Sequence, residues 1–293
     1  MFNGSGCYTT DGILIIKPVT INGGTYNDPV TDKLGRGSVH PLIRIKDTTG
    51  VTVENVTLNG LNAEGGFHGE LVGEEGVQVL SSANVTLDNV TTNNTYGDGL
   101  MLGFQPGRPP TTNLTVNGYS VNHAGRQGVT IAYAINSTLN NVAINSSADS
   151  GWDFESDVQR VGSGNVTVNN ASGGKGIRIV EALQGPITFN NCQCERHVTL
   201  MNDAAASGQP VTFNGGTILL TNIDKGVPPA GVTLKGPGNL TFTGVTLGRL
   251  PAMRLPTSPA WFVTKGGHLT LNKSPAAGPQ GYRDSSSTVT ISS

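Results

Sequence analysis

One short phrase recurs along this chain: an apolar residue, a small polar one, a second apolar one, then Asn or Gly at a corner. It reads VTVENVTL at Val51–Leu58, NVTLDNVTT at Asn84–Thr92, NLTVNGYSV at Asn113–Val121 and NSTLNNVAI at Asn136–Ile144. It returns as NVTVNNASG at Asn165–Gly173, PITFNNCQC at Pro186–Cys194, PVTFNGGTI at Pro210–Ile218 and NLTFTGVTL at Asn239–Leu247. Aligning the small polar residue gives Thr52, Thr86, Thr115, Ser137 or Thr138, Thr167, Thr188, Thr212 and Thr241. Most steps fall between about 21 and 34 residues, the range in which a fixed repeat marks a stacked solenoid.

Alternation along a strand sends every second side chain inward. In Asn84–Thr92, Val85 and Leu87 therefore face in, Thr86 faces out, Asp88-Asn89 turns a corner and Val90 starts a second strand. A third strand follows a glycine: Gly76, Gly99, Gly128, Gly151 and Gly176 each open a short apolar run, at intervals of 23, 29, 23 and 25 residues. Three short strands per turn, with Gly and Asn in corner conformations other residues resist, predict an all-β parallel β-helix of about nine to ten turns. Sustained helical periodicity is absent from the sequence. The solenoid is expected over residues 1–249. Residues 250–293, with Pro251, Pro256, Pro259, Pro275 and Pro279, read as an irregular last turn, a cap over the open end and a Ser-rich tail.

Charged residues make up only 13% of the 293 and the net charge is −2, so no basic stripe points to nucleic acid. No apolar stretch is long enough to cross a bilayer. MFNGSGCYTTDGI carries neither a basic nor an apolar leader segment, and its abrupt entry into the repeat points to a sequence trimmed at its start. Cys192 and Cys194, two apart on a strand, are expected to be buried thiols on one side of it that do not bridge each other. Asn-x-Thr matches such as Asn84–Thr86 and Asn165–Thr167 read as corner Asn plus outward Thr rather than glycosylation sites.

Turns stack about 4.8 Å apart, so equivalent outward residues form columns. Two residues after the glycine the column reads Gln78, Met101, Thr130, Asp153, Arg178; two further on it reads Leu80, Gly103, Ala132, Glu155, Val180. Just before the glycine stand Glu75, Asp98, Gln127, Ser150 and Lys175, and one earlier Glu74, Gly97, Arg126, Asp149 and Gly174. Scarce ionisable residues thus crowd one face. Asp153 and Glu155 are outward neighbours about 6.5–7 Å apart, and Asp98 lies two turns away, about 9.6 Å along the axis. Both separations suit inverting glycoside hydrolysis, which needs carboxyls roughly 6.5–9.5 Å apart. Asp153 is the expected base, with Asp98 or Glu155 the acid; Asp149 and Asp157 would raise a neighbouring pKa and Arg178 would depress that of Asp153. The competing reading is a surface ladder in which Asp153 and Arg178 neutralise each other. Arg126 is expected as a catalytic residue that forks onto a sugar carboxylate or, in a lyase, abstracts the proton next to it, the alternative being a pair with Asp149. Gln127, Asp149, Lys175, Arg178, Tyr96 and His123 complete the expected binding set. The insertions Gly60–Glu75, with Phe67, His68 and Glu70, and Phe104–Pro110 should wall the face, and Trp152 points inward.

With those turns laid out, the chain resembles the right-handed parallel β-helix proteins of the pectate-lyase-like superfamily. The motifs CYTTDGILI, YGDGLMLG (Tyr96–Gly103), GRQGVTI (Gly125–Ile131) and SGWDFESD (Ser150–Asp157) are similar to its glycoside hydrolase family 28-related group. Right-handedness follows from this resemblance and from the rule for parallel crossovers. The resemblance implies a secreted or cell-surface protein that hydrolyses a polysaccharide or, alternatively, a lyase or epimerase with an Arg base and calcium. A third alternative is a non-catalytic glycan-binding or fibre module, monomeric unless it trimerises as a fibre. No cofactor is implied beyond an optional calcium ion. Polygalacturonases of the superfamily carry NTD, DD, GHG and RIK motifs. Here Asp98 stands near the first and Arg178 near the last, while GRQG replaces GHG, Val180 replaces the RIK lysine, and Arg44-Ile45-Lys46 spells RIK too early.

Overall fold

The computed structural model describes residues 2–10, 12–28, 40–103, 105–155, 162–180, 182–201, 207–220, 231–249, 260–275 and 281–293. Phe104, Asp157 and the Pro-rich stretch 250–259 lie outside the described residues. Two parallel sheets run the length of the molecule, of 19 and 11 strands. No α-helix occurs among the described residues; the one helical element is a 3-10 turn, Gly69–Leu71.

The 11-strand sheet takes one short strand from each turn: Ile13–Ile15, Ile43–Lys46, Val77–Leu80, Leu100–Gly103, Val129–Ile131 and Trp152–Phe154. Ile177–Ile179, Val198–Met201, Val232–Lys235, Trp261–Thr264 and Tyr282–Arg283 complete it. Eleven rungs exceed the nine to ten expected, because the repeat continues past residue 249. Trp261–Thr264 pairs with Val232–Lys235, and Thr288–Ser292 pairs with His268–Asn272. Strands thus also occur in 260–293, within the stretch expected to hold an irregular last turn, a cap and a Ser-rich tail.

The 19-strand sheet holds the other two arms of each turn, which often merge into one bent strand such as Ala83–Asn93. The bend falls at a left-handed asparagine, with φ of 51° at Asn89, 57° at Asn55 and 55° at Asn141. Asparagine tolerates that region better than most residues, and its amide also bonds its counterpart one turn away. Asn89 donates to Asn55 at 2.9 Å, Asn170 to Asn141 at 3.1 Å and Asn191 to Asn170 at 3.0 Å. The amides of the Asn-x-Thr matches are likewise engaged: Asn165 donates to Asn136 at 3.0 Å, and Asn113 donates to Asn84. The register resolves the ambiguous step in favour of Thr138, which pairs with Thr115 and Thr167.

Inward residues fill the tube completely. Val77, Val79, Leu100, Leu102, Val129, Ile131, Trp152, Phe154, Ile177 and Ile179 are all fully buried. Phe189, Phe213 and Phe242 stack at 4.7 and 4.9 Å, the spacing of the turns themselves. Gly176 has the corner conformation expected, with φ of 120°, but Gly76, Gly99, Gly128 and Gly151, before other strands of this sheet, are required for a second reason. A Cβ at Gly99 would meet Val121 Cγ1 at 2.4 Å and the Gly128 carbonyl at 2.8 Å, so close approach excludes a side chain there. Cys192 and Cys194 correct a second expectation: they form a disulfide within one strand, with Cα atoms 5.7 Å apart. Pointing to one face is what brings the sulfurs together, and that separation lies within the range a disulfide spans.

Candidate functional site

The outward columns are in the expected register. Gln78 pairs with Met101, Met101 with Thr130, Thr130 with Asp153 and Asp153 with Arg178. Arg44 extends the column one turn earlier, opposite Gln78, and Thr199 and Thr233 extend it later. Asp153 sits mid-strand in Trp152–Phe154, flanked by two inward aromatics that fix its outward direction. Asp98 and Gln127 occupy the corner before neighbouring strands, where the Gly99 amide bonds the Gln127 carbonyl at 3.1 Å.

The side chains form one network. Arg178 forks onto Asp153, with Nε donating to Oδ1 at 2.9 Å and NH2 donating to Oδ2. Gln127 Nε2 donates to the same Oδ2 at 3.0 Å. Arg126 donates to Glu155 and places NH1 3.5 Å from Asp98 Oδ2. Arg178 also lies 3.9 Å from Asp149 and 4.0 Å from Glu155. Of the two expected partners for Arg126, the side chain of Asp149 goes instead to Arg178, and Arg126 turns to Glu155 and Asp98.

Burial divides the cluster into two layers. Asp98 and Asp153 are 0% exposed, whereas the side chains of Glu155, Arg126, Arg178 and Asp149 are 28%, 21%, 34% and 56% exposed. Asp153 was the expected base, but both of its oxygens are occupied and neither meets solvent. Glu155 is the carboxylate that a water or sugar can reach. Nor is the arrangement a flat solvated ladder, because Asp153 lies beneath its arginine.

Burial also governs the protons. It pushes Asp98 up to about 7, against the opposing pull of the Arg126 charge and the Gln127 amide. Asp153 is pushed up to about 6 by burial, partly offset by its Arg178 bonds. Arg178 is raised chiefly by its hydrogen bonds to Asp153. Burial alone would lower Arg126, but Asp98 and Glu155 more than compensate and its net shift is upward.

One residue not selected from sequence belongs here. Glu75 heads the column that contains Asp98, is 3% exposed and is pushed up to about 8 by burial and by the Asp98 charge. Gln78 Nε2 donates to Glu75 Oε1 at 3.3 Å, and Arg44 Nε donates to Gln78 Oε1 at 2.6 Å. The early Arg44 therefore joins the network from its far end. Alignment had placed Glu75 in this column; nearby, the 60–75 insertion folds back so that Asn62 bonds the Gly66 and Thr95 carbonyls.

The other expected residues lie at the margin. Tyr96 packs edge-on against His68 at 5.1 Å, and Phe67 is 61% exposed on the same insertion. His123, expected in the binding set, is exposed, with Nδ1 3.1 Å from Asn94 Oδ1. Lys175 is half-buried on the corner before Gly176. Among the described residues no group of three or more His, Cys, Asp or Glu side chains is arranged to hold a metal ion.

Comparison with known proteins points the same way as the coil. The profile of the right-handed beta helix region matches residues 41–224, more than half of the chain. No curated protein matches the sequence. Among solved structures, a variant catalytic domain of GH87 alpha-1,3-glucanase in complex with nigerose superposes with a TM-score of 0.55 at 10% identity over 98% of this chain and 62% of that one. The Agl-KA catalytic domain gives 0.53 at 14% identity over 96% and 54%. A further GH87 alpha-1,3-glucanase catalytic domain with nigerose gives 0.51 at 12% identity over 97% and 56%. The chain thus spans a little over half the length of these domains.

Proposed function

The chain belongs to the right-handed β-helix family, and on that footing we propose that it is an extracellular glycoside hydrolase acting on a neutral polysaccharide. The observation that carries this reading is Arg126, one guanidinium held against both Asp98, a buried carboxyl able to keep a proton near neutral pH, and Glu155, an accessible carboxylate. Contact with a single guanidinium holds the nearest oxygens of the two carboxyls within about 8 Å, compatible with the roughly 6.5–9.5 Å of an inverting pair. Glu155 would take a proton from the attacking water, and Asp98, 0% exposed beneath Arg126, would protonate the leaving oxygen once a bound sugar displaces that guanidinium. Asp153 positions Arg178 and Gln127 beside them.

Stability gives no reason for such a cluster. Burying charges costs several kcal/mol per ion unless the geometry compensates, and the same column carries Thr199 and Thr233 on later turns without loss of the strand. Perturbed, partly buried carboxyls concentrated on one face favour chemistry over scaffolding. Four carboxylates, Asp98, Asp149, Asp153 and Glu155, share two guanidiniums, so neither arginine fork is left for a uronate. Elimination with an arginine base is disfavoured because both arginines hold their protons more tightly than usual. The α-1,3-glucanases of similar fold make an uncharged glucan the first probe. A second reading, glycan binding without cleavage, draws on Arg126 lying across Asp98.

The test is incubation with neutral glucans, α-1,3-glucan included, and with uronic-acid polysaccharides, with and without calcium. New reducing ends from a neutral glucan, without the ultraviolet absorbance of an unsaturated product and lost in Asp98→Asn and Glu155→Gln, support hydrolysis. Calcium-dependent unsaturated product would overturn it in favour of a lyase. Binding without product would favour the non-catalytic reading.

A further inference from the structure

Glu75 and Asp98 occupy one column on adjacent turns, where the Gly76 amide donates to the Asp98 carbonyl at 2.9 Å. Turn spacing puts their backbones about 4.8 Å apart. Each carboxyl spends one oxygen on the protein: Glu75 Oε1 accepts from Gln78 Nε2, and Asp98 Oδ1 accepts from the Gln127 amide at 3.0 Å. The other oxygens are buried: Glu75 Oε2 accepts no hydrogen bond, and Asp98 Oδ2 lies 3.5 Å from the Arg126 guanidinium, with the Thr130 hydroxyl also directed at the Asp98 carboxyl. A buried carboxylate oxygen left without a donor is costly, and two like charges stacked in one buried column are costlier still. A proton kept on Glu75 and directed at Asp98 answers both demands at once.

The groups that face the pair are few. Arg44 acts on Glu75 through Gln78, and Arg126 and Glu155 act on Asp98 from the solvent side. Asp28, His40, Glu74, Thr95 and Tyr96 line, with Glu75, a cavity of about 10 Å³. This is close to the room one water occupies, which leaves Glu75 a route to exchange its proton.

We infer that Glu75 is a positioning residue for the acid: it remains a neutral carboxylic acid and donates its O–H to Asp98 as Asp98 gives up its own proton. The inference rests on the reading of Asp98 as the acid. In the step, the Asp98 proton goes to the glycosidic oxygen as its bond to the anomeric carbon breaks. Water adds to that carbon and loses a proton to Glu155. The Glu75 proton stays on Glu75 throughout, and Asp98 regains a proton from solvent. Burial, reinforced by the Asp98 charge, holds Glu75 near 8, above Asp98 near 7, which is the order this role requires. A carboxylic acid kept neutral by its surroundings so that it can donate is established enzyme chemistry.

The experiment is a carboxyl-carbon NMR titration of the whole protein, labelled at Asp and Glu. The wild type should show Asp98 and Glu75 titrating as a coupled pair, with Glu75 last. Asp98→Asn removes the facing charge and should lower the Glu75 midpoint by roughly one pH unit or more. Glu75→Gln preserves a neutral donor and should retain kcat, with the loss at high pH shifted; Glu75→Leu should raise the Asp98 midpoint and lower kcat with KM little changed. Independent titration of Glu75 and Asp98 in the wild type would overturn the inference, whether or not any glycan is cleaved and whether or not the variants fold. Coupled titration in a protein that cleaves no glycan would uphold the pair and sink the hydrolase reading instead.

Discussion

Replacing Asp98 by Asn should stabilise the protein at alkaline pH and leave it nearly unchanged in acid. Asp98 is 0% exposed, and burial raises its folded-state value from 3.8 to about 7. Between those limits the native chain holds a proton that the unfolded chain has released. Stability must therefore fall as pH rises through that window, the reverse of the usual salt-bridged aspartate. At about 1.36 kcal/mol per unit, a rise of roughly three units gives a ceiling of about 4 kcal/mol above pH 7. The Arg126 contact at 3.5 Å opposes the rise and is already included in that net shift, so nothing further is subtracted for its loss. Asparagine keeps the oxygen that accepts from Gln127 and adds no charge, so it removes the titration without opening a cavity. Urea unfolding of both proteins at pH 4 and pH 8 reads the effect. With a slope of about 3 kcal/mol/M, the variant midpoint should exceed the wild type by up to about 1.3 M at pH 8 and match it at pH 4. A variant weakened equally at both pH values would refute the reasoning, because Asp98 would then be a net stabilising charge.

Other perturbations separate the remaining parts. Arg178→Met leaves Asp153 buried without its fork and should cost about 3–5 kcal/mol, whereas the double variant with Asp153→Asn should recover most of it; a thermodynamic cycle by urea unfolding measures the coupling. Glu155→Gln should keep the unfolding midpoint yet reduce kcat about 100-fold or more on whichever glucan is cleaved, read as reducing ends. At the corner, Asn89→Gly should cost only about 1 kcal/mol, since Gly118 fills the equivalent place one turn on with φ of 62°, while Asn89→Val should cost at least about 2 kcal/mol. Cys192 and Cys194 should resist alkylation in denaturant until reduced, and replacing both by Ala should lose packing only, because a two-residue span closes almost no loop.

The sequence carries its fold in a local pattern repeated along the whole chain, and a period is hard to misread. Val85, Thr86 and Leu87 declare inward, outward and inward in three letters, and stacking makes every other turn repeat the statement. The columns were therefore legible, down to Asp153 opposite Arg178. Depth was not. Thr130, Asp153 and Thr233 all point outward by alternation, yet all three are fully buried. An outward residue is exposed only if nothing lies over it, and Asp153 is covered by the long side chain of its own column neighbour, Arg178. That is why Glu75 passed unnoticed as a corner acid and why Asp153, locked beneath Arg178, was cast as the base. The partner of Arg126 was missed for a related reason: its backbone does meet Asp149, through the Asp149 amide at 2.9 Å, while its long side chain reaches past to Glu155. Repeats encode which residues share a face. Which of them carry protons is decided by burial, and in this chain Glu75 and Asp98, adjacent in one column, are 3% and 0% exposed while Lys175 of the same column is half-buried.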